Sequence, residues 1–345
     1  MRSLLVLLAA LLPLAAQAFS PTGLYFSHHD WELACDNTGT CRAAGYQPDG
    51  ANDRAVSVLL RRGAGPEQPV SAQVMLGQYE DSPFLAALPA RFKLALKING
   101  QPLGTVEFAK DSLLAELSEK QAGALLNALA RRADIRFSLG SAASWQLSDR
   151  GAAAVLLKFD EYQGRTGTTG ALIQKGRKPE SNVPAGLPLP KFKAGPVASA
   201  RPGDEGFASK HAAALRTALR ASMGPDECQR LEEDDQISAS RLTPTKMLVT
   251  ASCWLAPSTQ GSGYWVVNDA PPFEPVLVTT DATDAEQGRV YANHKQGGMG
   301  DCRSAQTWSW DGRQFRLTEQ ETRGMCKMMA IGGPWSLQTI VTDER

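Results

Sequence analysis

Six cysteines constrain this chain more tightly than any other feature: Cys35, Cys41, Cys228, Cys253, Cys302 and Cys326. Their number is even, and in an oxidising compartment each is expected in a disulfide. Six cysteines allow 15 connectivities, and spacing alone does not choose among them. Proximity in sequence favours 35–41, 228–253 and 302–326. In the chain-entropy picture the first, short loop is worth roughly 2–3 kcal/mol and each longer one roughly 3–4 kcal/mol. The rival use of these thiols is a metal site, but the sequence holds no C-x-x-C, C-x-x-H or H-E-x-x-H. Thiol redox chemistry likewise favours C-x-x-C, and the first pair is spaced C-x5-C. No metal and no cofactor is therefore expected.

The N-terminus supplies the oxidising compartment. Arg2 is a positive n-region, Leu4 to Ala16 is an apolar run, and Ala16-Gln17-Ala18 is a small-x-small cleavage site. That run is shorter than the roughly 20 residues of a spanning helix. Residues 1–18 thus read as a signal peptide, with Phe19 first in the mature chain. No later stretch is long and apolar enough to cross a membrane. The expected location is the periplasm or the medium, with no transmembrane anchor. Acidic and basic side chains balance at 36 each, which argues against nucleic acid as a partner, since that needs a basic footprint.

About 327 mature residues exceed what one core usually serves, so two domains are the default. Residues 177–206 contain six prolines and few large apolar side chains. Proline favours extended backbone there, and the segment reads as a linker between a domain at 19–176 and a second at 207–345. In the first domain, 55–61, 70–76 and 92–98 have strand character. Phe92, Leu94, Leu96 and Ile98 alternate onto one face, and Asn99-Gly100 is a hairpin turn leading into 103–108. Ser118 with Gln121 forms a capping box for a helix whose Ala122, Leu125, Leu126 and Leu129 share a face. A strand follows at 135–139, and Ser148 is placed to cap a second helix over 152–162. The second domain opens with a helix from Phe207, with His211, Leu215 and Leu219 on its face. Strands are expected at 246–251, 264–267, 275–280 and 289–293. In the hairpin 307–319, Trp308 and Trp310 alternate before Asp311-Gly312, and Phe315 and Leu317 after it. The fold class is α+β: two β-rich domains, a few short helices and a Pro-rich linker.

Five patches, in order along the chain, carry a family resemblance: HDWELACDNTGTCRAAGY (29–46), LSDRGAAAVLLKFDEYQGR (147–165), GSGYWVVNDAPPFEPVLVT (261–279), GDCRSAQTWSWDGRQF (300–315) and GMCKMMAIGGPW (324–335). They resemble the bacterial exported domain-of-unknown-function family 1176. The first domain is also loosely similar to the invasion-associated locus B proteins. The resemblance implies export and a β-rich body. It brings no reaction, ligand or catalytic residue to carry over.

The remaining constellations are weak as chemistry. Asp36-Asn37-Thr38-Gly39 reads as a turn pinned by the first disulfide, with Trp31 packed nearby. His28-His29-Asp30 holds two imidazoles and a carboxylate, but neighbouring side chains on a strand point to opposite faces, so both rarely grip one ion. The acidic residues Asp226, Glu227, Glu232, Glu233, Asp234 and Asp235 lack the spacing of a calcium loop and read as a solvated surface. Asp281, Asp284 and Glu286 read as a loop. No G-x-S-x-G, S-x-x-K or phosphate loop occurs. Trp254, Tyr264, Trp265, Trp308, Trp310 and Trp335 crowd the second domain beside glycine-rich loops at 297–300 and 332–333. They are either core or the wall of a sugar- or peptide-binding cleft, with Trp308, Trp310, Asp301 and Arg303 the candidate ligand-binding residues. The sequence thus favours a non-catalytic binding or interaction module whose partner is an envelope protein, a peptide or a glycan. An envelope hydrolase with an unfamiliar carboxylate or His site is the alternative.

Overall fold

A computed structural model describes residues 20–51, 54–77, 83–232 and 236–344. The signal peptide expected at 1–18, together with Glu233, Asp234 and Asp235, lies outside them.

The chain is mostly β-strand, with few and short helices. The first ten strands form one antiparallel sheet: β1 (Leu24–His28), β2 (Trp31–Cys35), β3 (Cys41–Tyr46), β4 (Val56–Arg62), β5 (Val70–Leu76), β6 (Arg91–Ile98), β7 (Gln101–Ala109), β8 (Leu114–Glu116), β9 (Ile135–Leu139) and β10 (Ala143–Leu147). The order is β1-β2-β3-β4-β5-β8-β7-β6-β9-β10. Asn99 and Gly100 both take positive φ in the β6–β7 turn, as that dipeptide predicts. Three helices accompany this sheet: α1 (Pro83–Ala86), α2 (Glu119–Leu129) and α3 (Ala152–Tyr162). Ser118 and Gln121 close the expected capping box on α2. Leu125 and Leu129 of α2 join Val155, Leu156 and Phe159 of α3 in one core with Trp31, Leu33, Val58, Leu94 and Phe137.

Ser148 does not cap α3. The N-cap is Gly151, at φ +94° and without a side-chain cap. The Ser148 hydroxyl instead donates to buried Asp30, and its carbonyl accepts from Trp31 Nε1, which ties this residue to β2 and the turn before it.

The stretch 177–206 is largely without regular structure, interrupted by 3-10 turns at Glu180–Asn182 and Asp204–Gly206, and it lies against structure at both ends. Glu180 reaches Arg165, the Leu187 N–H donates to the Thr38 carbonyl, and the Gly195 N–H donates to the Trp310 carbonyl. Within it, β11 (Lys191–Phe192) pairs in parallel with the chain's last strand. Helix α4 (Phe207–Ala221) then packs Phe207, Leu215 and Leu219 against a four-stranded antiparallel sheet. Its strands run in order β12 (Ile237–Arg241), β13 (Lys246–Ala256), β14 (Thr259–Asn268) and β15 (Val276–Ala282). A five-stranded antiparallel sheet follows, again in sequence order: β16 (Asp284–Glu286), β17 (Arg289–Lys295), β18 (Arg303–Trp310), β19 (Phe315–Thr322) and β20 (Leu337–Ile340). The strand β21 (Asp343–Glu344) closes the description.

The disulfides are Cys35–Cys41, Cys228–Cys253 and Cys302–Cys326, the pairing that sequence proximity favours. The first joins the facing ends of β2 and β3 around the turn at Gly39. Trp31 packs over Gly45 of β3, where an added Cβ would sit 2.3 Å from the indole. Glycine is required at that place for the ring to lie flat on the sheet.

The outer face of β2–β4 is covered by residues from the C-terminal end of the chain. Ala34, Ala44 and Tyr46 pack with Met329, Trp335 and Leu337. Polar contacts cross the same seam. Glu32 accepts from the hydroxyls of Tyr46 and Tyr25 and from the Met325 N–H. Lys327 Nζ donates to Asp30 at 2.7 Å and to Asp49 at 2.5 Å. Trp335 Nε1 donates to Ser57.

Candidate functional site

A groove of about 330 Å³ opens where the four-stranded and five-stranded sheets meet. That size is at the lower end of small-ligand pockets, which span about 300–1,000 Å³. Val266 and Trp310 line it from the core that they share with Leu248 and Val290. Val276, Leu277 and Val278 of β15 form one wall, and Trp308, Phe315 and Leu317 of the β18–β19 hairpin form the other. The alternation of β18 places Trp308 and Trp310 on one face. Trp310 is buried, with its ring 5.4 Å from that of Phe315, while Trp308 is half-buried. The indole Nε1 of Trp310 is buried with no hydrogen-bond partner among the described residues. Lys246, Arg313 and Gln314 give the rim its polar groups. Lys246 Nζ donates to Asn268 at 2.6 Å, and Arg313 is exposed at the hairpin tip. No carboxylate is among the described residues lining the groove.

The tip itself is set by Asp311, whose carboxylate accepts from the N–H groups of Arg313 and Gln314 and from the Arg316 side chain. Gly312 takes φ +96°, and Gly195 of the Pro-rich stretch packs on it so closely that a Cβ would lie 2.1 Å from the Gly312 nitrogen.

The structure brings Trp308 and Trp310 together and places Asp301 and Arg303 elsewhere. Arg303 begins β18, about 17 Å from Trp308 at about 3.4 Å per residue. Asp301 is buried beside the Cys302–Cys326 disulfide and accepts from the Met328 N–H at 2.7 Å. Asp301, Cys302 and Cys326 lie close enough together to ligate an ion. Both sulfurs are bonded to each other, however, and a disulfide offers no thiolate. The other aromatics diverge: Trp265 sits in the core under α4, Trp335 packs on the first sheet, and Trp254 lies over Gly261 beside His294. The glycine loops at 297–300 and 332–333 meet each other through the Gly332 N–H and the Gly300 carbonyl. The groove residues not anticipated from sequence are Val276–Val278, Lys246, Arg313 and Gln314. Only the turn sequence at 311–314 carried a signal for any of them.

Among the described residues two carboxyls are pushed above the ordinary range, Glu32 and Asp160. In each, burial outweighs the hydrogen bonds that pull the other way. A raised carboxyl is one mark of a catalytic acid. Both are engaged structurally, Glu32 in the seam described above and Asp160 with the N–H groups of Leu172 and Ile173. Neither borders the groove. His294 is held between Thr259 and the Asp281 carbonyl.

The acidic residues Asp226, Glu227 and Glu232 stand beside α4, where Arg220 pairs with Glu232. His28 and His29 depart from the opposite-face expectation: their rings lie 4.3 Å apart. His29 takes φ +52° in the β1–β2 turn, so strand alternation does not apply to it.

Among the described residues no helix is long and apolar enough to cross a membrane. No solved structure gives a significant match to the chain. The uncharacterized protein YpfG of Escherichia coli (strain K12) is 25% identical over 350 residues, covering 94% of each chain. The model of the family described as "Protein of unknown function (DUF1176)" matches residues 25–342, and the chain therefore belongs to that family.

Proposed function

We propose that this chain is an exported protein of the cell envelope that works by binding rather than catalysis. The observation that carries the reading is the groove. It has an aromatic and aliphatic wall, two cationic side chains at the rim and no carboxylate among its described lining residues. Such a surface suits a ligand with an apolar body and an anionic group, including a peptide carboxylate. A hydrolytic site would need converging carboxylates or a nucleophile–base pair, and the two raised carboxyls are apart and engaged, Glu32 in the seam and Asp160 on the Leu172 and Ile173 N–H groups.

The test is a fluorescence titration with 8-anilinonaphthalene-1-sulfonate, which joins an aromatic body to an anion. Saturable binding is expected, weakened about tenfold in Trp308→Ala, in line with roughly 1.4 kcal/mol per decade. Arg313→Gln should weaken it about threefold. Trp308 is the informative position because its ring is half-exposed, whereas truncating Trp310 would open the core. Dye binding unchanged in Trp308→Ala would remove the groove as the binding site. Export is checked separately: protein recovered from the periplasm should begin at Phe19, and an intact Met1 would contradict it.

A further inference from the structure

A second cavity, of about 410 Å³, lies at the far end of the first sheet. It is bordered by His28 and His29 of the β1–β2 turn, Arg131 and Arg132 after α2, and Asp149 and Arg150 ahead of α3. We propose that this cavity is a phosphoryl-binding site, taking a phosphate group either free or on a small polar headgroup.

Several surface arginines have acidic partners, Arg91 with Glu107, Arg136 with Asp134, Arg316 with Asp311 and Arg323 with Glu321, while others such as Arg61 and Arg313 stand singly. Arg131, Arg132 and Arg150 all border this one cavity and form no ion pair with any described residue, Arg150 acting only at longer range on the Asp49 carboxyl. Like charges collected around a concave wall repel one another, and a concave wall also focuses their field. Asp149, the one carboxylate on the lining, is already engaged. Its Oδ2 accepts from the Ala133 N–H at 2.7 Å. That bond ties the segment bearing Arg131 and Arg132 to the segment bearing Arg150, so the guanidiniums sit on a braced frame.

The histidines complete the wall. The turn at His29 brings both rings to the same side, and Gly151 brings the start of α3 up to them. A Cβ on Gly151 would lie 1.8 Å from the His28 carbonyl oxygen, and its φ of +94° also favours glycine. A phosphoryl group offers three acceptor oxygens and up to two negative charges. Guanidiniums match it with forked donors, and imidazoles add N–H donors at the edge. A carboxylate alone would satisfy fewer of these donors. The cavity is larger than a bare phosphate ion, which leaves room for the group that carries it.

The test uses the mature protein at low ionic strength and again near 0.15 M salt. Calorimetric titration with inorganic phosphate should show saturable binding. Arg131→Gln/Arg132→Gln/Arg150→Gln should weaken it at least tenfold, while Arg91→Gln, at an exposed and paired position, should leave it unchanged. Circular dichroism and the denaturation midpoint confirm that the triple variant is folded. Co-sedimentation with phosphatidylglycerol vesicles, against phosphatidylcholine vesicles, distinguishes the source. Retention on the first, lost in the triple variant, assigns a lipid headgroup. Phosphate binding without vesicle retention assigns a soluble phosphate. Absence of saturable phosphate binding overturns the proposal, as does binding that the triple variant retains. The groove near Trp308 is not involved, so the dye titration and this one fail independently.

Discussion

Replacing Glu180 with Gln is expected to lower the unfolding free energy by about 3–5 kcal/mol, the range for breaking a buried ion pair from one side. Glu180 is the carboxylate that meets Arg165, whose side chain is fully buried, and it lies 3.8 Å from Arg62, which is nearly so. Asp160 stands close enough to act on both guanidiniums. The cluster is balanced, with two guanidiniums and two carboxylates. Burial, and then the neighbouring Arg165, push Arg62 down to about 10. Gln keeps the shape of Glu180 and its place beside Thr168 and Gly170, so the change removes charge with little change in volume. What remains is an excess cation on a buried side chain. Urea unfolding of the mature protein, with disulfides intact, measures the effect. The double variant Glu180→Gln/Arg165→Met should recover part of the loss. A change below about 1 kcal/mol would mean that the cluster is solvated.

The second large effect is expected at Lys327. Its ammonium bridges buried Asp30 and exposed Asp49 across the seam between the first sheet and the C-terminal segment. Burial works against the charged lysine, yet the hydrogen bonds to Asp30 and Asp49 outweigh it and raise its pKa. Lys327→Met keeps the length of the side chain and leaves Asp30 with only the Ser148 hydroxyl, at a cost of about 3 kcal/mol or more. Asp30→Asn in the same chain should return much of that. The Lys327 carbonyl also accepts from Gln47, and that bond is untouched by the substitution. Equal destabilisation in the single and double variants would show that Lys327 acts through packing alone.

Strands whose two faces differ were readable from the sequence. β5, β6 and β9 each bury alternate residues, and the alternation of Phe92, Leu94, Leu96 and Ile98 is visible without a structure. β2 and β3 are buried on both faces, one by α3 and the core, the other by Trp335 and its neighbours. WELAC and CRAAGY therefore show no period of two, and the pattern hides the strands. The partner that hides them comes from some 290 residues further on. The candidate groove divides in the same way. Trp308 and Trp310 stood out because they alternate within one strand beside a clear turn. The opposite wall, Val276–Val278, belongs to another sheet, and no local spacing links it to β18. The cavity at His28 was obscured for a different reason: a single positive φ at His29 reverses the side on which its ring falls.

Asn37 and Val341 exchange two hydrogen bonds, the Asn37 amide donating to the Val341 carbonyl and accepting from its N–H. This link joins the first disulfide turn to almost the last described residues. The chain is made N-terminus first, so the first sheet must wait for nearly the whole sequence before its outer face can be covered. Until then Ala34, Ala44 and Tyr46 present an uncovered strip to solvent. Contacts this distant in sequence are slow to form, because the loop between them must be closed first. Docking of the tail onto the first sheet is therefore expected to come late in folding, and a chain truncated before Trp335 is expected to leave that apolar strip exposed.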